Sequence, residues 1–229
     1  MKRWALLVAG LYFLILFVLT VPVIMLAFAS KADWPTWAEA AEVYTVWQYW
    51  LWLAIMVISQ AALLTVPVGA TSRRPVTQRS LWPTILAAGL MAGGLVIGGI
   101  FSIYEFATRS IDLTSWHGWG TLAAGSLTWV LWTLVFLRMG RNAEPTDVIS
   151  KQCRLLLKGS ILELLIAVPT HIVARSRDYC CAGFMTFVGL TMGIAVMLFS
   201  FGPAVFFLFQ ERWKRLHPVR TSSSVEAGL

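Results

Sequence analysis

"LLLKGSILELLIAVPTHIV", residues Leu155–Val173, is the stretch on which the threading of this chain turns. A helix rising 1.5 Å per residue needs about 20 mostly apolar residues to cross a hydrocarbon core about 30 Å thick. The stretch is long enough, yet it carries Lys158, Glu163, Pro169 and His171. Apolarity alone therefore does not say whether it crosses.

Charge does. Five other runs qualify without argument: Trp4–Ala29, Val46–Ala70, Leu81–Phe106, Thr121–Leu137 and Ala182–Phe209. If Leu155–Val173 also crosses and the amino terminus is cytoplasmic, 14 of the 18 Lys and Arg residues fall on the cytoplasmic side. Only Lys31, Arg109, Arg175 and Arg177 remain outside, the asymmetry that topology signals produce in membrane proteins. Were the stretch not to cross, the cluster ERWKR at Glu211–Arg215 and everything after it would lie outside. The expectation is an all-α polytopic bundle of six spans with both termini cytoplasmic. Residues 1–216 form one transmembrane domain, and the small, polar residues 217–229 form a disordered tail.

Tryptophan gives an independent check, because its ring prefers the headgroup level. Trp34, Trp37, Trp47, Trp50, Trp52, Trp116 and Trp119 fall at the expected outer interface. Trp4, Trp82 and Trp213 fall at the inner one, and only Trp129 and Trp132 sit within a span.

Composition agrees. The chain is 58% hydrophobic and 13% charged, against about 45–50% and about 25% in soluble domains. Its net charge of +7 does not point to nucleic acid, because the basic residues sit in short clusters between apolar runs rather than on one face. The short loops fit a bacterial inner membrane, with the lipid bilayer and other membrane subunits as the expected partners. The first run, Trp4–Ala29, is far longer than the about 7–15 residues of a signal-peptide core, so it is expected to be retained as a span. "DWPTWAEAAEVYTVWQYW", residues 33–50, suggests a short surface helix that Asp33 could cap. The connection 139–154 suits an amphipathic approach to the fifth span.

Between spans, contact should form where small residues let backbones approach. Gly89, Gly93, Gly94, Gly98 and Gly99 supply overlapping GxxxG patterns in the third span, and Gly189 and Gly193 another in the sixth. A close crossing within the chain is favoured over a dimer seam. Gly202–Pro203 invites a kink.

Two sets of polar residues are candidate sites. Glu163 lies eight residues into the fifth span, about 12 Å from its inner end, where a charged carboxylate costs several kcal/mol. It should be protonated, paired with a group such as Gln60, Ser126 or Thr128, or turned to a wet cavity. Lys158 should snorkel to the surface. His171 follows Glu163 by eight residues, about 12 Å along and about 80° round the helix, so one metal ion cannot take both unless the helix unwinds at Pro169.

His171 should instead lie near the outer surface with Cys180 and Cys181, where Glu105, His117 and Asp178 are within range. Imidazole and thiolates would suit zinc or copper, with Arg175 and Arg177 favouring the thiolates. Against this, adjacent cysteines diverge by about 100° on a helix. They could equally be small hydrophobes, a vicinal disulfide or acylation sites, and His171 could bond a carbonyl freed by Pro169. The chain has no GxSxG, HExxH, P-loop or GxGxxG signature, and its three histidines cannot supply paired haem ligands.

Three functions follow as expectations. The first is an accessory or binding protein without catalysis of its own, acting through partner contacts or a metal site at His171, Cys180 and Cys181. The second is a small proton- or cation-coupled transporter or channel using Glu163. The third is a membrane thiol oxidoreductase using the cysteine pair.

Overall fold

The computed structural model describes residues 2–28, 35–71, 78–108, 115–140, 145–177 and 182–216, and every regular element among them is helical. Helix α1 is Lys2–Phe28; α2, Trp37–Ala41, runs into a 3-10 turn at Glu42–Thr45; α3 is Trp47–Thr71. Then follow α4, Gln78–Thr108; α5, Ser115–Gly140; α6, Pro145–Arg175; and α7, Phe184–Leu216. Six of these helices contain a stretch long and apolar enough to cross a membrane. The fifth such stretch, Asp147–Arg175, runs 29 residues, so Leu155–Val173 lies inside one unbroken helix.

The expected approach to the fifth span is continuous with it, residues 147–154 forming the two-faced start of α6, with Val148, Ile149 and Gln152 buried and Asp147, Ser150, Lys151 and Arg154 exposed. Residues 139–140 end α5, and α6 starts at Pro145. Proline suits the first helical position, where its missing N–H would have had no partner and its fixed φ is already helical. Asp147 in the first turn complements the helix dipole. Pro169 does not end the helix either, and Pro203 likewise sits inside α7, so neither is a break in the chain's helices. The short surface helix forms as expected but with a different cap. Thr36 Oγ1 accepts from the Glu39 N–H at 3.3 Å while Glu39 Oε2 accepts from the Thr36 N–H at 2.7 Å, a reciprocal capping box. Asp33 lies outside the described residues.

Helix α4 is the centre of the bundle. Of its apolar stretch 56% is buried, against 12% for α5 and 17% for α1. Glycine explains why, since lipid is as apolar as leucine and close backbone approach is what favours one neighbour over another. A Cβ at Gly93 would lie 3.4 Å from the Trp129 backbone of α5, and one at Gly94 would lie 3.0 Å from Met192 Sδ of α7. One at Gly98 would meet both Gly189 of α7 and the Glu163 carboxylate of α6. The small-residue seam is therefore a crossing within the chain.

On α6 the buried polar residues Gln152, Ser160, Glu163 and His171 alternate with buried Leu156, Ala167 and Ala174 at steps of three and four. That spacing is one stripe of a helix, turned to the bundle. Lys158 is exposed, off the stripe.

Candidate functional site

The ends of α1, α4 and α6 meet the start of α7 in a cluster of charged and polar groups, a clasp. Its origin is a missing cap. Helix α7 begins after Gly183, whose φ of 91° is a conformation glycine adopts freely and other residues rarely do. A residue at this place ordinarily lends its own side chain to the N–H three positions on. Glycine has none, and Glu105 of α4 stands in for it. Its Oε1 accepts from the Gly183 N–H and its Oε2 from the Thr186 N–H, both at 2.7 Å. Glu105 is fully buried, and its carboxylate sits where the helix dipole is positive.

The opposite helix terminus is treated in mirror fashion. Ala27 and Phe28 close α1, and the last carbonyls of a helix have no partner within it. His171 Nε2 lies 2.9 Å from the Ala27 carbonyl, and Arg175 Nη2 donates to the Phe28 carbonyl at 2.9 Å. The Arg175 guanidinium also lies 5.5 Å from the centre of the Phe28 ring, and its Nη1 donates to the Ala182 carbonyl at 3.1 Å. Arg177 Nη1 donates to the Glu105 carbonyl at 3.1 Å.

Because Nε2 of His171 faces a carbonyl, it must carry a hydrogen. Nδ1 lies 2.8 Å from the Thr186 hydroxyl, which also lies 3.0 Å from the Gly183 carbonyl. The one hydrogen of that hydroxyl is shared between the Gly183 carbonyl and Nδ1. Both nitrogens are thus engaged, and a metal ion would have to displace one of these partners. The carbonyl that His171 reaches is not one freed by Pro169 but one at the end of α1. Cys180, Cys181 and Asp178 lie outside the described residues, as does the side chain of His117. Among the described residues no group of three metal-ligating side chains occurs. Glu105, Arg175 and Arg177, expected to serve a ligand set, are bonded to helix ends.

Glu163 occupies a separate place. It is 4% exposed, and neither oxygen has a hydrogen-bond partner. The side chain fits a notch made by Gly98 of α4 and Gly193 of α7, where a Cβ on Gly193 would lie 3.7 Å from Oε2. Helix α6 does not unwind at Pro169, so Glu163 and His171 remain apart.

None of the partners expected for Glu163 bonds to it. Gln60 of α3 is itself fully buried with both amide atoms unpartnered, packed into the notch at Gly202 of α7. Thr128 bonds the Ala124 carbonyl at 2.6 Å, and Ser126 is exposed. Gln152, also fully buried and unpartnered, went unremarked in the sequence. Its signal was spacing: eleven residues before Glu163, it lies within about 20° of it at 100° per residue.

A third feature is a half-open groove of about 340 Å³ between α1, α3 and α7. Two contacts pin α1 to α7 on either side of it. Tyr12 Oη donates to the Ala195 carbonyl at 3.1 Å, and the Phe28 and Phe187 rings are 5.0 Å apart. Between them the walls are almost wholly apolar, with Val43 and Val46 contributed by the turn and linker before α3. Tyr44, in that turn, donates to the Phe17 carbonyl at 2.7 Å. Burial, with the Tyr49 phenol beside it, pushes the Tyr44 phenol above its usual range, so it keeps this hydrogen at neutral pH.

Compared with known proteins, the chain matches no family model, no curated protein and no solved structure. Function is therefore read from the chemistry of these sites alone.

Proposed function

We propose that the protein is a multi-pass protein of the bacterial inner membrane, with both termini cytoplasmic, that serves as an accessory or binding subunit without catalysis of its own. One observation carries this reading: the groove of about 340 Å³, held between two fixed α1–α7 contacts. Its volume lies in the range of small-molecule sites, about 300–1,000 Å³, and its walls are apolar as such sites are. The clasp fits the same reading, because Glu105, Arg175 and Arg177 bond the ends of helices.

The test is extraction. Full-length protein purified in mild detergent should carry an apolar small molecule into organic solvent at near one equivalent. Thr191→Trp, which fills the groove, should carry about tenfold less. Identical extracts from both would refute the reading.

The unpartnered oxygens of Glu163 favour a second reading, a proton- or cation-coupled transporter in which this carboxyl is the carrier. Liposomes holding the wild type would then take up protons or a cation, and liposomes holding Glu163→Gln would not. Uptake equal in both removes it. His171 could join Cys180 and Cys181 in a zinc or copper site only if its ring gave up Thr186 or Ala27, whereas thiol exchange by the pair makes no demand on it.

A further inference from the structure

The groove between α1, α3 and α7 presents three hydroxyls, and their hydrogens are already committed. Thr20 Oγ1 donates to the Leu16 carbonyl at 2.7 Å. Thr191 Oγ1 lies 3.0 Å from the Phe187 and Val188 carbonyls and donates to them. A threonine has one hydroxyl hydrogen. The 3.3 Å contact between Thr20 Oγ1 and Tyr49 Oη must therefore be a bond that Tyr49 donates. Tyr49 meets the groove with lone pairs to offer and no hydrogen. What Tyr49 lacks is a donor facing it. Trp52 adds an indole N–H, which can only donate, and Gln48 an amide that does both; a hydroxyl group suits Tyr49 and Trp52 together, since it donates and accepts.

Position narrows the guest further. On α1 the groove runs from Leu16 to Ile24, about 12 Å at 1.5 Å per residue. It stops four residues, about 6 Å, short of the end of α1. Leu19, Val46 and Phe184 at its rim are exposed. In a membrane the medium passing that rim is lipid.

Building on the binding reading above, we propose that the groove is a site for a lipid alcohol, its alkyl body held by the apolar walls and its one hydroxyl donating to Tyr49 Oη. A guest with an ether or ester oxygen in that place has no hydrogen to offer Tyr49 Oη.

The probes are dodecanol carrying a photoreactive diazirine on its chain and the methyl ether of the same compound, each applied to the full chain in detergent micelles. The alcohol should label the Leu16–Ile24 peptide at about three- to tenfold lower concentration than the ether, the range of one net hydrogen bond. Tyr49→Phe should equalise the two. Thr20→Ala works in the other direction: it frees the Tyr49 hydrogen to donate to the ether oxygen, so the gap should narrow because the ether improves. Equal labelling by both probes in the wild type overturns the hydroxyl assignment and leaves the binding reading standing. An undiminished preference in both variants also overturns it. Labelling of this peptide by neither probe removes the binding reading as well.

Discussion

Replacing Glu105 with alanine should release the start of α7. The carboxylate accepts two backbone N–H groups, of Gly183 and Thr186, at 2.7 Å each, inside a fully buried setting. A hydrogen bond to a charged group contributes about 1.5–3 kcal/mol net, so the pair contributes about 3–6 kcal/mol. That exceeds the loss of an ordinary helix cap, about 1 kcal/mol, because no water reaches the two orphaned donors. Glu105→Gln keeps one accepting oxygen and turns an amide N–H toward the other donor, so it should lose at least half as much. The assay is equilibrium unfolding of the full chain in mixed micelles titrated with a denaturing detergent, read with amide hydrogen exchange over the first turn of α7. Exchange of the Gly183 and Thr186 amides should rise in step with the loss of stability. A Glu105→Ala protein within about 0.5 kcal/mol of the wild type, as for a neutral surface change, with unchanged exchange at those amides, refutes the cap.

Two further outcomes are expected. Gly98→Ala should destabilise by about 1–3 kcal/mol by driving the Glu163 carboxyl from its notch, while Gly98→Ala combined with Glu163→Ala should be less damaging than the sum of the two; strict additivity in the same unfolding assay would show that they do not touch. His171→Ala should destabilise by about 1–3 kcal/mol through loss of its contact to Ala27, equally with and without a chelator; a loss seen only without chelator, together with stoichiometric zinc or copper in the wild type, would show a metal ligand instead.

The six long apolar helices were legible because each signal for them is local or additive. Length and apolarity mark such a helix residue by residue, and Leu155–Val173 lies within one despite Lys158, Glu163, Pro169 and His171. The glycine seam of α4 was legible for the same reason, as spacing on one helix. What could not be read is whatever needs two distant segments at once. Glu105 was seen as a possible ligand; that it caps α7 depends on N–H groups 78 and 81 residues later, which only the packing of α4 against α7 brings near. His171 was placed at the right end of its helix, yet its partner carbonyl lies 144 residues earlier. The capping of α2 by Thr36 was in fact written in the sequence, as threonine followed three residues later by Glu39, and the nearer-looking Asp33 obscured it. The groove, walled by α1, α3 and α7, leaves no pattern on any one of them.

The contacts that close α1 also set a timetable for making the protein. Its last two carbonyls find His171 and Arg175 only 144 and 147 residues downstream. At about 5–20 residues per second a ribosome needs about 7–30 s to cover that distance. For that interval the last carbonyls of α1 are without these partners, and they gain them only once α6, the penultimate helix, has been made. A chain stopped before Pro145 would therefore hold a first helix whose end has neither of the two side chains that close it in the finished protein.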